Sequence, residues 1–211
     1  MRNMAAATLV FLGGFVMMVL EIVGARYLAK DFGNSIHVWV SQIGVVLIAL
    51  AAGYYAGGAL ADRLQRLGFL AALLLPAGAF LYLIPNWTPR FIDRIITRHP
   101  PGVDIPPIWQ KLDPVMGSAL LFLIPCLVLA VLSPYMIRLA TRSLAEVGRS
   151  SGFIIAASTI GSIVGVFMSG FVLIDNLGLS TIFRLMGAAT AGLGLLCLAL
   201  DRYFLVPAAA D

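Results

Sequence analysis

The sequence predicts an all-helical, polytopic membrane bundle of about six spans, and three observations lead there. Of 211 residues, 61% are hydrophobic and 11% are charged, against roughly 45–50% and about 25% in a soluble domain. With a mean hydropathy of +0.99, a soluble globule of this length could not wet its own surface. The apolar residues also fall in blocks of about 20, the length one helix needs to cross a hydrocarbon layer roughly 30 Å thick. Finally, the blocks are continuously apolar rather than alternating, which excludes barrel strands and leaves helices as the spanning form.

The blocks cover residues 4–24, 38–60, 67–84, 115–137, 153–174 and 182–200, and together make one transmembrane domain over 1–211. The first follows Arg2, is too long for a signal-peptide core and lacks a small-residue cleavage site, so it reads as a retained span. The connections are short except for the one between the third and fourth blocks. Within it, over residues 89–98, helical spacing puts Phe91, Ile92, Ile95 and Ile96 on one face and Arg90, Asp93, Arg94 and Thr97 largely on the other. That pattern predicts a short amphipathic helix lying in the membrane surface, with Trp87 and Trp109 at the headgroup level. Such a helix serves either as a lid or docking surface, or simply closes a long loop.

Several classes are excluded. Fourteen basic against ten acidic residues give a net charge of only +4, and the charges are scattered over several loops, so no nucleic-acid partner is expected despite a pI of 9.4. Cys126 and Cys197 lie inside apolar blocks and read as buried small hydrophobes, with a disulfide left open. His37 and His99 are far apart and no ligand spacing is present, so no metal is expected. There is no nucleophile elbow, P-loop, dinucleotide fingerprint or HExxH. Neither enzymatic activity nor a cofactor is expected.

An internal repeat is visible. Ser41-Gln-Ile43-Gly44 is followed nine residues later by Gly53, as Ser158-Thr-Ile160-Gly161 is by Gly170. Upstream, Arg26-Tyr-Leu28-Ala29 is echoed by Arg142-Ser-Leu144-Ala145, one residue out of register with the first match. Spans one to three then repeat as spans four to six. An odd number of spans per repeat inverts the second copy, the construction of one half of a major-facilitator transporter. Orientation is not decided by charge. With the N-terminus inside, Arg2, Arg63, Arg66, Arg138, Arg142, Arg149 and Arg202 are cytoplasmic. Arg26, Lys30, Arg90, Arg94, Arg98, Lys111 and Arg184 then lie outside, an even split under the positive-inside rule.

The residues able to carry function are few. Glu21 is the acidic residue set well within an apolar block, and an intramembrane carboxylate is a functional candidate by default. It can hold a cation or exchange a proton, or it can pair with Arg26 or a basic residue of another span. Tyr54, Tyr55, Gln42 and Ser41 either line a polar cavity or bond between helices. Gly161, Gly165 and Ser169 repeat every four residues and make a smooth packing face, to which Ser158 and Thr159 add polar contacts. Pro125 and Ser133-Pro134 are expected to bend the fourth span. Gly57-Gly58-Ala-Leu-Ala-Asp62-Arg63 closes the second span, its Asp–Arg pair placed to cap helix ends and bridge to a neighbour at the water boundary. The motif resembles the cytoplasmic loop that major-facilitator transporters carry between spans two and three, which favours an N-terminus in the cytoplasm.

Taken together, Phe11…Gly14-Phe15…Glu21…Arg26…Leu28-Ala29, Phe32-Gly33-Asn-Ser35…Val38-Trp39, Gly53-Tyr54…Gly57-Gly58…Asp62-Arg63, Gly148-Arg149…Gly152 and Ser158-Thr-Ile-Gly161 resemble the membrane module of fused major-facilitator/spermidine-synthase proteins of bacteria. By that resemblance Glu21, Arg26, Trp39, Asp62, Arg63, Gly148 and Arg149 fall on recurring motif positions. No synthase-like domain follows the sixth span in this sequence, so aminopropyl transfer is not implied. The resemblance implies a half-transporter-like protein of the bacterial inner membrane. It would handle or sense a small solute, a polyamine-like cation, with Glu21 as counter-charge. It would act as a homo-oligomer, with other membrane subunits, or beside a separate soluble synthase-like partner. The competing expectation is an accessory or scaffold subunit of a larger membrane complex, respiratory or photosynthetic.

Overall fold

A computed structural model describes residues 2–99, 102, 105–141 and 147–204. Among the described residues six helices are long and apolar enough to cross a membrane: α1 (Arg2–Phe32), α2 (Ile36–Leu64), α3 (Phe69–Ile96), α4 (Pro107–Ala140), α5 (Val147–Asn176) and α6 (Leu179–Phe204). Helix α1 ends where Gly33 takes φ +82°, a conformation that costs glycine little, and the Ser35 N–H closes the turn onto the Gly33 carbonyl at 2.9 Å. Cys126 and Cys197 are both free and buried.

Two boundaries differ from the sequence reading, both in the long connection. The segment expected as a separate surface helix at 89–98 is continuous with span three, since α3 runs on to Ile96 through Pro85 and Pro89. Each proline removes one N–H but supplies a helical φ, and the Thr88 hydroxyl adds a bond to the Ile84 carbonyl at 2.6 Å. The expected apolar face is kept only in part: Ile92 is buried and Ile95 and Ile96 are half-buried, but Phe91 is exposed with Arg90, Asp93 and Arg94. Helix α4 likewise starts at Pro107, a favoured first helical position. The proline-rich fourth span carries a π turn at Ala119–Leu123, directly ahead of Pro125. That residue cannot donate to Leu121, so the ladder widens there.

The helices pair as α1 with α5, α2 with α4 and α3 with α6. Exchanging the first three helices for the last three leaves this pattern unchanged, as an inverted three-plus-three repeat requires. The close contacts repeat in the same way. A Cβ at Gly161 would collide with the Phe11 carbonyl of α1, and one at Gly165 would stand 2.5 Å from that of Phe15. In the other copy, a Cβ at Gly53 would stand 2.5 Å from the Leu127 carbonyl of α4, and one at Gly57 2.7 Å from that of Val131. Helices α3 and α6 cross reciprocally: Gly78 meets Ala191 and Gly187, and Gly187 meets Tyr82 and Gly78. The pseudo-two-fold axis therefore passes through that crossing.

These contacts correct the register of the repeat. Gly161 and Gly165 lie 108 residues after Gly53 and Gly57. Every buried residue described in α5 (Ser150, Ile154, Gly161, Gly165, Ser169) falls on a buried residue of α2 at that spacing (Gln42, Val46, Gly53, Gly57, Ala61). The Ser-x-Ile-Gly match equates Gly44 with Gly161 and Gly53 with Gly170. Yet Gly44 and Gly170 have nothing within 4 Å of an added Cβ. The short match thus joins a packed glycine to a bare one. In the first helices, Phe11 corresponds to Leu127 and Phe15 to Val131, a spacing of 116 that equals the Arg26/Arg142 echo. Residues Arg142, Leu144 and Ala145 themselves lie outside the described residues.

Candidate functional site

The pseudo-axis carries a small cavity of about 90 Å³ between α1, α2, α4 and α5. Its walls are built from equivalent positions of the two repeats: Gly13 and Leu129, Gly14 and Ala130, Met17 and Ser133, Leu50 and Ser158, Tyr54 and Ser162. Symmetry of position is not symmetry of chemistry. The second repeat supplies three hydroxyls, the first supplies Met17, Leu50 and one phenol. Ser133 donates to Ser158 across 3.3 Å and Ser162 to the Gly14 carbonyl across 3.4 Å, so α4, α5 and α1 are joined by weak polar contacts around the space. Since a water takes about 30 Å³, the cavity in this state holds a few waters, not an extended organic molecule.

Glu21 lies one turn of α1 beyond Met17 and Met18, the last α1 residues of the cavity wall. It follows Gly14, Met17 and Met18 at helical spacing, so it shares the face of α1 that lines the space, and it is half-buried. Cys126 of α4 lies within reach of its charge. Among the described residues Glu21 makes no hydrogen bond or ion pair. Arg26, five residues on, is turned about 140° away around the helix and is exposed.

Gln42 is fully buried and accepts a hydrogen bond from the Ser118 hydroxyl at 2.7 Å, while its Nε2 has no partner among the described residues. It lies against α1, where a Cβ at Gly24 would stand 2.6 Å from Nε2. The two neighbouring tyrosines part company. Tyr54, 49% exposed, lines the axis cavity, whereas Tyr55, 83% exposed, points out of the bundle. Ser41 donates to the His37 carbonyl of its own helix at 2.6 Å.

The two ends of the bundle are tied differently. At the end carrying Arg2, the second-span motif bridges to span four: Arg138 Nε donates to Asp62 Oδ1 at 2.7 Å. The Tyr135 hydroxyl donates to the Arg66 carbonyl at 2.7 Å, and the Gly68 N–H to Asp201 Oδ1 at 2.7 Å. Gly57 packs on Pro134 and Val131, while Gly58 and Gly148 face open space. Arg63 and Arg149 are exposed and Trp39 is half-buried. At the opposite end, Arg98 and His99 each take one oxygen of Asp113, the His99 Nε2 contact being 2.8 Å. The Arg98 guanidinium lies 4.0 Å over the Trp109 ring. Beside this clamp is a cleft of about 470 Å³ lined by Asp31, Ser35, His37, His99, Gln110 and Asp113. Asp62 and Arg138 are both well exposed, so exchanging their charges (D62R with R138D) is expected to move stability by less than about 1 kcal/mol, as thermal unfolding in detergent would show.

The sequence reading missed Ser118, Ser162, Arg98 and Asp113. Ser162 had a signal in its four-residue spacing from Ser158. The clamp had none, because its members are separated by a long connection. Comparison with family models, curated proteins and solved structures finds no match to this chain. The fold defines the class: a multi-pass helical membrane protein.

Proposed function

We propose that the protein is a half-transporter-like, non-enzymatic membrane protein that handles or senses a small cationic, polyamine-like solute, with Glu21 as the counter-charge. The observation that carries this is the partly polar cavity on the pseudo-axis, with a carboxylate one turn along α1 from its wall that has no ion-pair partner among the described residues. Inverted-repeat transporters hold substrate and ion sites at their repeat interface, and an intramembrane carboxylate without a partner is costly unless it has a use. The state described here offers a vestibule at the end opposite Arg2 and only a narrow space at the axis. A polyamine therefore meets the cleft first and reaches Glu21 after α1, α2, α4 and α5 part. A second copy of the chain completes the pathway. The second-span motif supports a cytoplasmic N-terminus, and the resemblance of the sequence motifs supports the bacterial inner membrane.

The test is equilibrium binding of labelled spermidine to the purified chain in lipid vesicles. Glu21→Gln is expected to weaken binding at least tenfold while the protein remains monodisperse. Unchanged binding removes the counter-charge reading.

A second reading has its own observation. Helix α5 is the least covered span, with 17% of its most apolar window buried, and Gly148 and Gly152 are bare on it. Such a face suits a subunit held in a larger complex. Gentle detergent extraction, size-exclusion chromatography and mass spectrometry decide between them. Stoichiometric co-elution with other subunits favours the scaffold role, and a homodimer favours the transporter.

A further inference from the structure

The Gln42 amide is fully buried with its Nε2 unpartnered. Turning the amide over only moves the deficit to the oxygen. Buried polar groups left open in this way are commonly completed by an internal water. The surroundings of Gln42 form a line. Pro114 and His37 line the cleft at the end opposite Arg2. Ser118 and Ser41 stand four residues further along their helices, one turn deeper on the same faces. Ser118 holds Gln42. Gly24 leaves the amide nitrogen against the α1 backbone, and Glu21 is one turn beyond Gly24, about 4.5 Å along the axis.

We propose that Gln42 and Glu21 together bind an ordered water, and that this water makes Glu21 a proton-exchanging group served from the cleft at the end opposite Arg2. The route is short on that side: eleven residues separate Glu21 from Phe32, roughly 16 Å of helix. Toward Arg2 the axis cavity extends along α1 as far as Val10 and Gly13, and beyond it the Tyr135 and Asp62–Arg138 contacts tie the end. On acidification a proton passes from the cleft along the water to the Glu21 carboxylate, giving the neutral acid, and returns by the same path. The titratable groups facing Glu21 are the Cys126 thiol of α4 and, across the cavity, the Tyr54 phenol of α2. The described charges of α5, Arg149 and Asp175, stand near its ends, and those of α6 are Arg184, Asp201 and Arg202. The inference rests on the same carboxylate as the solute reading and deepens it, because proton and cation then compete for Glu21.

Infrared difference spectroscopy of the full chain in phosphatidylcholine vesicles tests it. Acidification is expected to raise a protonated-carboxyl band that Glu21→Gln removes. In deuterated buffer that band is expected to shift at least tenfold more slowly in Gln42→Leu than in the unaltered protein. Ser118→Ala, which removes the hydroxyl that orients the amide, is expected to slow it as well. If Gln42→Leu does not fold, Ser118→Ala decides. A band that survives Glu21→Gln, or exchange at the unaltered rate in the Gln42 and Ser118 variants, overturns the proposal. Spermidine binding that survives Glu21→Gln removes the solute reading alone and leaves the infrared result standing.

Discussion

Alanine at Gly161 is expected to destabilise the protein by at least about 2 kcal/mol, and alanine at Gly53 by a similar amount, because overpacking against a rigid neighbour costs this much or more. The obstacle in each case is a main-chain carbonyl, that of Phe11 for Gly161 and that of Leu127 for Gly53. A flexible side chain could swing aside, but a carbonyl inside a continuous helix moves only if α1 slides from α5 or α4 from α2. Alanine at Gly44 and Gly170 meets open space. There the intrinsic preference of helices for alanine over glycine is unopposed, so the change is expected to be neutral or slightly stabilising. Thermal unfolding of the four single variants in one detergent measures the contrast. The outcome also decides the internal register. Pairing Gly53 with Gly161 predicts two damaged and two silent variants, divided as stated. Pairing by the Ser-x-Ile-Gly match predicts that Gly44 and Gly161 behave alike, and a result of that kind would overturn the axis drawn here.

That contrast shows where the sequence was legible. Span number and helical type follow from the length and continuity of apolar blocks, because lipid leaves the backbone no other way to satisfy itself. The inversion followed from three spans per repeat. The register did not follow, since a glycine that touches a carbonyl and a glycine that faces lipid are the same letter. Position along the helix relative to a partner distinguishes them, and the partner is known only after folding. Glu21 was conspicuous by its charge among apolar neighbours. Ser118 was not, because a serine in a span is as often bonded to its own helix, as Thr190 is to the Met186 carbonyl at 2.8 Å. Tyr54 and Tyr55 could not be separated by spacing alone, although adjacent helical positions point about 100° apart. Prolines misled at α3, where three sit inside one helix. Proline deletes a single bond each time, and a helix already packed along its length tolerates the loss.

Removing both Arg98 and His99 side chains is expected to cost about 3 kcal/mol, the lower part of the range for leaving a buried charge uncompensated. Asp113 is 4% exposed and both of its oxygens are taken by these two residues, so the double alanine variant leaves a carboxylate without donors in a place water barely enters. Arg98 is itself partly exposed, which keeps the loss at the low end, and part of it comes from the guanidinium that covers Trp109. Asp113→Asn separates the contributions: it keeps an acceptor for Arg98 but removes the charge, and is expected to lose less than the double variant. If the double variant unfolds at the same temperature as the unaltered protein, the clamp is not what holds this end. The location gives the result meaning for function. The clamp joins the residues just past the end of α3 to the first turns of α4, which is where the two repeats are covalently connected, and His99 and Asp113 also line the cleft. The exposed Asp62–Arg138 pair at the other end gains little from its charges. Of the charge pairs at the two ends, the one beside the vestibule is therefore the stronger tie.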